Sequence, residues 1–265
     1  MLDGFDTFGF SHEGTRRDVY TKGEGPGVVV MHEIPGITPQ VAQFSTRVAE
    51  AGFTVFMPHL FGTPGQPIST GYALGQMIQC CIQREFRVLA ERSSSPITDW
   101  LRALCREAHR RCGGPGVGAI GMCMTGNFAL SLMVDPSVMA PVLSQPSLPF
   151  GLTAKKRAAL HISDEDLSIV RKRAQEGCGV LGLRFTGDRM VPAERFDSLR
   201  RELGDGFEAI EIDSSPGNAC GIPSTAHSVV TTDLVDEEGH PTRAALDRVL
   251  SLFETRLRGD GPAPA

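Results

Sequence analysis

No stretch of this sequence approaches the roughly 20 consecutive apolar residues of a membrane-spanning helix. The longest candidate, Val28 to Met31, stops at His32. Clustered positive charge is also scarce: the formal net charge is −5, and the single dense basic cluster, Lys155-Lys156-Arg157, is short. That argues against a sequence-independent grip on nucleic acid, which needs clustered Lys and Arg to displace counterions. The opening MLDGFDTFGF carries Asp3 and Asp6 where a secretory leader would have Lys or Arg and then an apolar run. The expectation is a soluble, cytoplasmic chain with neither membrane nor nucleic acid as partner. The seven cysteines form no disulfide framework and no C-x-x-C pair, so most are expected as reduced thiols, with no metal and no cofactor implied. Repeats and domain linkers are missing too. Because α/β folds commonly run to roughly 200 to 250 residues as one unit, residues 1–265 are expected to form one domain.

What is present is an alternation. Short apolar, β-branched runs read as buried strands at Val28–Met31, Phe53–Phe56, Val117–Ile120, Val138–Leu143, Val180–Phe185 and Phe207–Ile212. Helical spacing fills the gaps at Pro39–Ala51, about Ile97–Arg111, Thr125–Val134, Ser163–Gln175, Pro192–Leu203 and Pro241–Arg258. Thr38-Pro39 is a cap followed by a proline at the first helical position. This rhythm predicts a mostly parallel sheet with helices on both faces, and Phe8 with Arg16–Tyr20 could add an antiparallel edge hairpin. Two stretches break it: Thr63–Ser95, and the Pro-, Gly- and Ser-rich Asp213–Ala226 just before His227. Long loops in compact domains are often lids.

The strongest chemical signal is Gly121-Met122-Cys123-Met124-Thr125-Gly126, after a predicted strand and opening a predicted helix. A nucleophile elbow has this setting: a tight turn exposes the nucleophile, the next backbone N–H faces a developing oxyanion, and the helix N-terminus favours a thiolate. Alone, such a cysteine reads equally well as a small buried apolar residue. Downstream partners change the balance. Gly187-Asp188-Arg189-Met190-Val191-Pro192 follows another predicted strand and Ala226-His227-Ser228 follows the last, which gives the order nucleophile, acid, histidine of α/β-hydrolases. Gly-Asp is also ordinary turn chemistry, Glu33 could be a structural carboxylate, and His227 a satisfied surface histidine. His32 and His59, both at strand ends, are candidates to line a pocket. Cys80 and Cys81, being adjacent, make a poor metal pair, and Cys105 and Cys112 share a helical face.

Together with His32-Glu33-Ile34-Pro35-Gly36 and Met57-Pro58-His59-Leu60-Phe61, these motifs resemble the dienelactone hydrolase family along nearly the whole chain. The resemblance implies an α/β-hydrolase fold and hydrolysis of a small ester or lactone substrate. Cys123 would attack the carbonyl carbon, His227 would carry the proton, and Asp188 would orient the imidazole. The N–H groups of Ile34 and Met124 would form the oxyanion hole, and Glu33 would contact the resting thiol. Two departures stand out. Thr125 occupies a position that is usually glycine, so the elbow could tilt or the hydroxyl take part. Ser228 to Asp233 lacks the arginine that, in dienelactone-opening relatives, clamps the substrate carboxylate. Arg84 or Arg87 could approximate the other clamp, and a neutral ester, lactone or thioester fits such a pocket better. Two other readings of the same fold stay open: a noncatalytic ligand-binding protein, and a biosynthetic enzyme catalysing cyclisation or condensation. Oligomeric state is not legible.

Overall fold

Val28 to Met31 have no exposed surface, and alternate members face opposite ways: Val29 and Met31 join one apolar cluster, Val28 and Val30 the other. That is the signature of a strand buried on both sides. In the computed structural model, which describes residues 2–82, 96–147 and 153–258, this strand, β3 (Gly27–Met31), sits inside an eight-stranded sheet. The others are β1 (Asp6–His12), β2 (Thr15–Lys22), β4 (Thr54–Pro58), β5 (Val117–Met122), β6 (Val138–Ser144), β7 (Val180–Phe185) and β8 (Phe207–Ile212), in the order β1-β2-β4-β3-β5-β6-β7-β8. β1 and β2 form the expected edge hairpin, β2 runs antiparallel to β4, and every later pairing is parallel.

Helices cover both faces. Helix α1 (Pro39–Glu50) starts where the Thr38 side chain accepts from Val41 N, with Pro39 beginning the first turn. Its Val41, Phe44 and Val48 pack with Leu246, Val249 and Phe253 of the last helix, α8 (Pro241–Leu257). The opposite face takes α3 (Pro96–Cys112), α4 (Gly126–Leu132), α6 (Asp164–Gln175) and α7 (Ala193–Leu203), through Trp100, Leu104, Phe128, Val170, Phe196 and Leu199. Burial of each such side chain stabilises the fold by about 1.5–3 kcal/mol. Helix α2 (Thr70–Ile82) lies within the long Thr63–Ser95 stretch, and α5 (Ala154–Arg157) is a single turn. Arg84 and Arg87 lie outside the described residues. Among the described residues no helix is long and apolar enough to cross a membrane.

The main departure from expectation is at the elbow. A continuous helix from Thr125 is replaced by a 3-10 turn, Cys123–Thr125, leading into the shorter α4. Thr125 and Gly126 are each held from outside the helix, as described next. The parallel strands end together at one edge of the sheet, where ligands bind in open α/β folds. His32, Glu33, Cys123, Gln145, Asp188 and His227 all follow strand ends.

Candidate active site

Cys123 leaves β5 with φ of 56°, a left-handed conformation that non-glycine residues adopt at a cost and that persists only where the surroundings dictate it. The turn is crowded enough to dictate it. A Cβ at Gly121 would come within 2.1 Å of Thr125 O, and one at Gly126 within 2.8 Å of Pro146 Cα. Thr125, which departs from the usual glycine, has a specific task. Its hydroxyl accepts from Met122 N at 2.9 Å and lies 2.9 Å from both Met31 O and Met122 O and 3.2 Å from His32 O. The hydroxyl therefore takes part structurally, tying the elbow to the end of β3.

Asp188 and His227 meet at 2.6 Å between Oδ2 and Nδ1. A carboxylate only accepts, so Nδ1 carries the proton and Nε2 is left as the basic nitrogen. Nε2 is buried without a hydrogen-bond partner among the described residues. Burial opposes a charged imidazole, but the neighbouring Cys123 sulfur and Asp188 outweigh it and hold the His227 pKa well above its ordinary value. Besides the His227 contact, Asp188 forms the turn expected of Gly-Asp: its Oδ1 accepts from Met190 N at 2.9 Å, an Asx turn. The histidine loop is fixed by a group the sequence did not announce: Asp233 accepts the backbone N–H groups of His227 and Ser228, each at 2.8 Å.

Ser147, also unforeseen, lies with its Oγ 3.0 Å from Cys123 Sγ. It follows the end of β6, where Gln145 has φ of 33° and carries the chain across the elbow. Nothing local in Gln145-Pro146-Ser147 marks it; only the topology, which pairs β6 with β5, brings it there.

Glu33 does not make the expected contact with the thiol. Its Oε2 accepts from Ser228 Oγ at 2.7 Å and Gln145 Nε2 at 3.1 Å, and its Oε1 from Thr231 Oγ1 at 2.5 Å. Three donors hold the carboxylate on the His227 loop and β6, and the sulfur pairs with Ser147 instead. His32 is likewise not a pocket wall. It is fully buried, its Nδ1 is 3.1 Å from Glu33 O, and its Nε2 accepts from Leu60 N at 3.0 Å. Burial lowers its pKa to about 3, so it is a neutral latch between the ends of β3 and β4. His59 directs Nε2 to Gly62 O at 2.8 Å. Ile34 follows Glu33, and Met124 follows Cys123 within the 3-10 turn. Of the other thiols, Cys105 and Cys178 are buried, and desolvation pushes their pKa values up. The side chains of Cys80 and Cys81 lie outside the described residues. Among the described residues no group of three or more His, Cys, Asp or Glu side chains is arranged for a metal ion.

The fold has many solved counterparts. A dienelactone hydrolase-like promiscuous phosphotriesterase from metagenomic libraries is 17% identical with a TM-score of 0.58, covering 96% of this chain and 98% of that one. An esterase from Pyrococcus furiosus is 12% identical with a TM-score of 0.55, covering 95% and 92%. The thioesterase domain of the curacin biosynthetic pathway is 10% identical with a TM-score of 0.52, covering 94% and 100%. At such identities the likeness is one of fold. No curated protein matches the sequence. The family model for dienelactone hydrolases, however, matches residues 17–257, a span that takes in the elbow, the Asp188 turn and His227, and the chain therefore belongs to the dienelactone hydrolase family.

Proposed function

We propose that this protein hydrolyses a carboxylic ester or lactone through a thioester on Cys123. The observation that carries this reading is the pairing of a strained, partly exposed elbow cysteine with a histidine whose far nitrogen is bound to Asp188 at 2.6 Å and whose near nitrogen is buried beside the sulfur. A structural cysteine does not require a conformation of this kind.

In this mechanism His227 Nε2 takes the thiol proton and the sulfur attacks the carbonyl carbon. The carbonyl π electrons move to oxygen, opposite the N–H groups of Ile34 and Met124. Collapse expels the alkoxide, which takes the proton from His227, and water deacylates the thioester by the same route. Asp188 keeps the imidazole in the tautomer with Nε2 free and stabilises its charged form. The substrate favoured is neutral, because the residues after His227 present hydroxyls that are already bound to Glu33 rather than a cation.

The test is to mix the protein with p-nitrophenyl acetate, quench, and map peptides by mass spectrometry. An initial burst of p-nitrophenol matching the enzyme concentration and an acetyl group on the Cys123 peptide are expected, both lost in Cys123→Ala. A Cys123→Ala protein that turns over like wild type would end the nucleophile assignment. Binding of the ester without burst or adduct would make the fold a ligand-binding one.

A further inference from the structure

Ser147 is 4% exposed, and its hydroxyl is 3.0 Å from the sulfur proposed to react. Its backbone is placed independently of that hydroxyl: Ser147 N donates to Cys123 O at 2.9 Å, and Ser147 O accepts from Asn127 Nδ2 at 3.0 Å. The loop is thus held to the elbow by main-chain bonds, and the hydroxyl is left to face the thiol. Glu33, the group the family resemblance assigns to the resting thiol, is occupied by Ser228, Gln145 and Thr231. His227 lies beside the same sulfur, which helps to raise its pKa, so the serine hydroxyl and the imidazole approach the sulfur together.

We infer that Ser147 is a further catalytic residue of this site, holding the Cys123 sulfur at rest and donating its hydroxyl hydrogen to the thiolate once His227 has taken the thiol proton. The inference rests on the proposed nucleophile. No proton leaves Ser147 at any step. At rest the S–H and O–H share one hydrogen bond in either direction. When the S–H proton passes to Nε2, the hydroxyl hydrogen turns to the sulfur, and the bond is given up as the sulfur's electron pair forms the C–S bond. A hydrogen bond to the charged form favours that form, so Ser147 lowers the cost of the thiolate.

Among the described residues, other titratable and charged groups also bear on the sulfur. His227 faces it from the β8–α8 connection with Asp188 behind, Arg184 and Arg195 act on Asp188, and Glu33 lies beyond Gln145 and Ser228. Ser147→Ala leaves all of them in place, along with the main-chain bonds of residue 147.

The experiment is the rate of alkylation of Cys123 by iodoacetamide, followed by peptide mapping from pH 5 to pH 10 (~0.5 steps), in wild type, Ser147→Ala and Ser147→Gly, with thermal unfolding of each. The two variants are expected to shift the midpoint of the alkylation profile up by about one pH unit. Acylation by p-nitrophenyl acetate should slow about 10- to 100-fold, mainly in kcat. A role confined to packing would lower the unfolding temperature and leave the midpoint alone. Wild-type midpoints in whichever variant folds would overturn the inference. Alkylation needs no turnover, so a failure of the hydrolase reading would show as a missing acyl adduct in wild type while the alkylation profile still reports on Ser147.

Discussion

Two places along the same edge of the sheet carry polar groups that the sequence presents as equally chemical, and they differ in what those groups have left to offer. At the tip of β3, both nitrogens of His32 and both oxygens of Glu33 are engaged by protein partners. After β7 and in the connection that follows β8, Asp188 binds His227 Nδ1 and leaves Nε2 beside the elbow sulfur. Burial is similar in the two places: Glu33 is 2% exposed and Asp188 7%. Placement at the strand ends therefore does not separate a proposed reacting group from a supporting one; what each group is bonded to does.

The largest effect that would break this contrast is loss of the proposed nucleophile. Cys123→Ala is expected to lower esterase turnover by at least ~1000-fold, since only oxyanion and binding contributions remain. Steady-state kinetics on a short p-nitrophenyl ester check this, and turnover within tenfold of wild type would place the chemistry elsewhere.

The two histidines provide the next test, because their pKa values move in opposite directions. Burial holds folded His32 at about 3, below the roughly 6.5 of an unfolded histidine. As pH falls from about 6.5 toward 3 the unfolded chain takes up a proton that the folded one refuses, so stability drops by on the order of 4 kcal/mol. His227 is raised, and its contribution is complete below about pH 6.5 and is lost as pH climbs through its folded pKa. Urea unfolding across pH should show an acid limb that flattens in His32→Leu. That variant should also be less stable at neutral pH by about 1–3 kcal/mol, because Leu60 N loses its acceptor. An acid limb unchanged in His32→Leu would contradict the latch.

Glu33→Gln sharpens the contrast from the other side. An amide cannot accept from three donors as a carboxylate does, so the variant should lose about 2–4 kcal/mol of stability while acylation of Cys123 slows by less than about tenfold. Pre-steady-state acylation and thermal unfolding measure the two. Slowing of 100-fold or more with stability intact would restore Glu33 as a direct participant. The smallest effect concerns substrate charge: kcat/KM for a neutral ester should exceed that for a carboxylate-bearing match by about tenfold, given the cost of an unpaired anion in a partly buried pocket. Preference for the anion would point to a cation outside the described residues.

The buried strands were legible because residues covered on both faces form unbroken apolar runs, and β7 and β8 match their expected bounds at Val180–Phe185 and Phe207–Ile212. The tight turn at Cys123 and the meeting of Asp188 with His227 were legible because each residue sits in a short turn motif at a fixed place in the fold. The partners of Glu33 were not: Ser228 and Thr231 are 195 and 198 residues away, and contacts at that separation leave no local pattern. Ser147 reaches the sulfur from a neighbouring strand, so only knowledge of strand adjacency could have found it. His32 misled for a related reason, since its partner is the backbone of Leu60, and a backbone N–H has no letter in the sequence.

The threonine at the elbow has a consequence for protein engineering. Its hydroxyl refers the position of Cys123 to the carbonyls of Met31 and His32, on the same strand that continues to Ile34. The proposed nucleophile and the proposed oxyanion donor are thereby measured from one datum, although they lie some ninety residues apart in the chain. A graft of Gly121–Gly126 onto another sheet would carry the turn but not its reference point, so a transplant has to bring Met31–Ile34 with it.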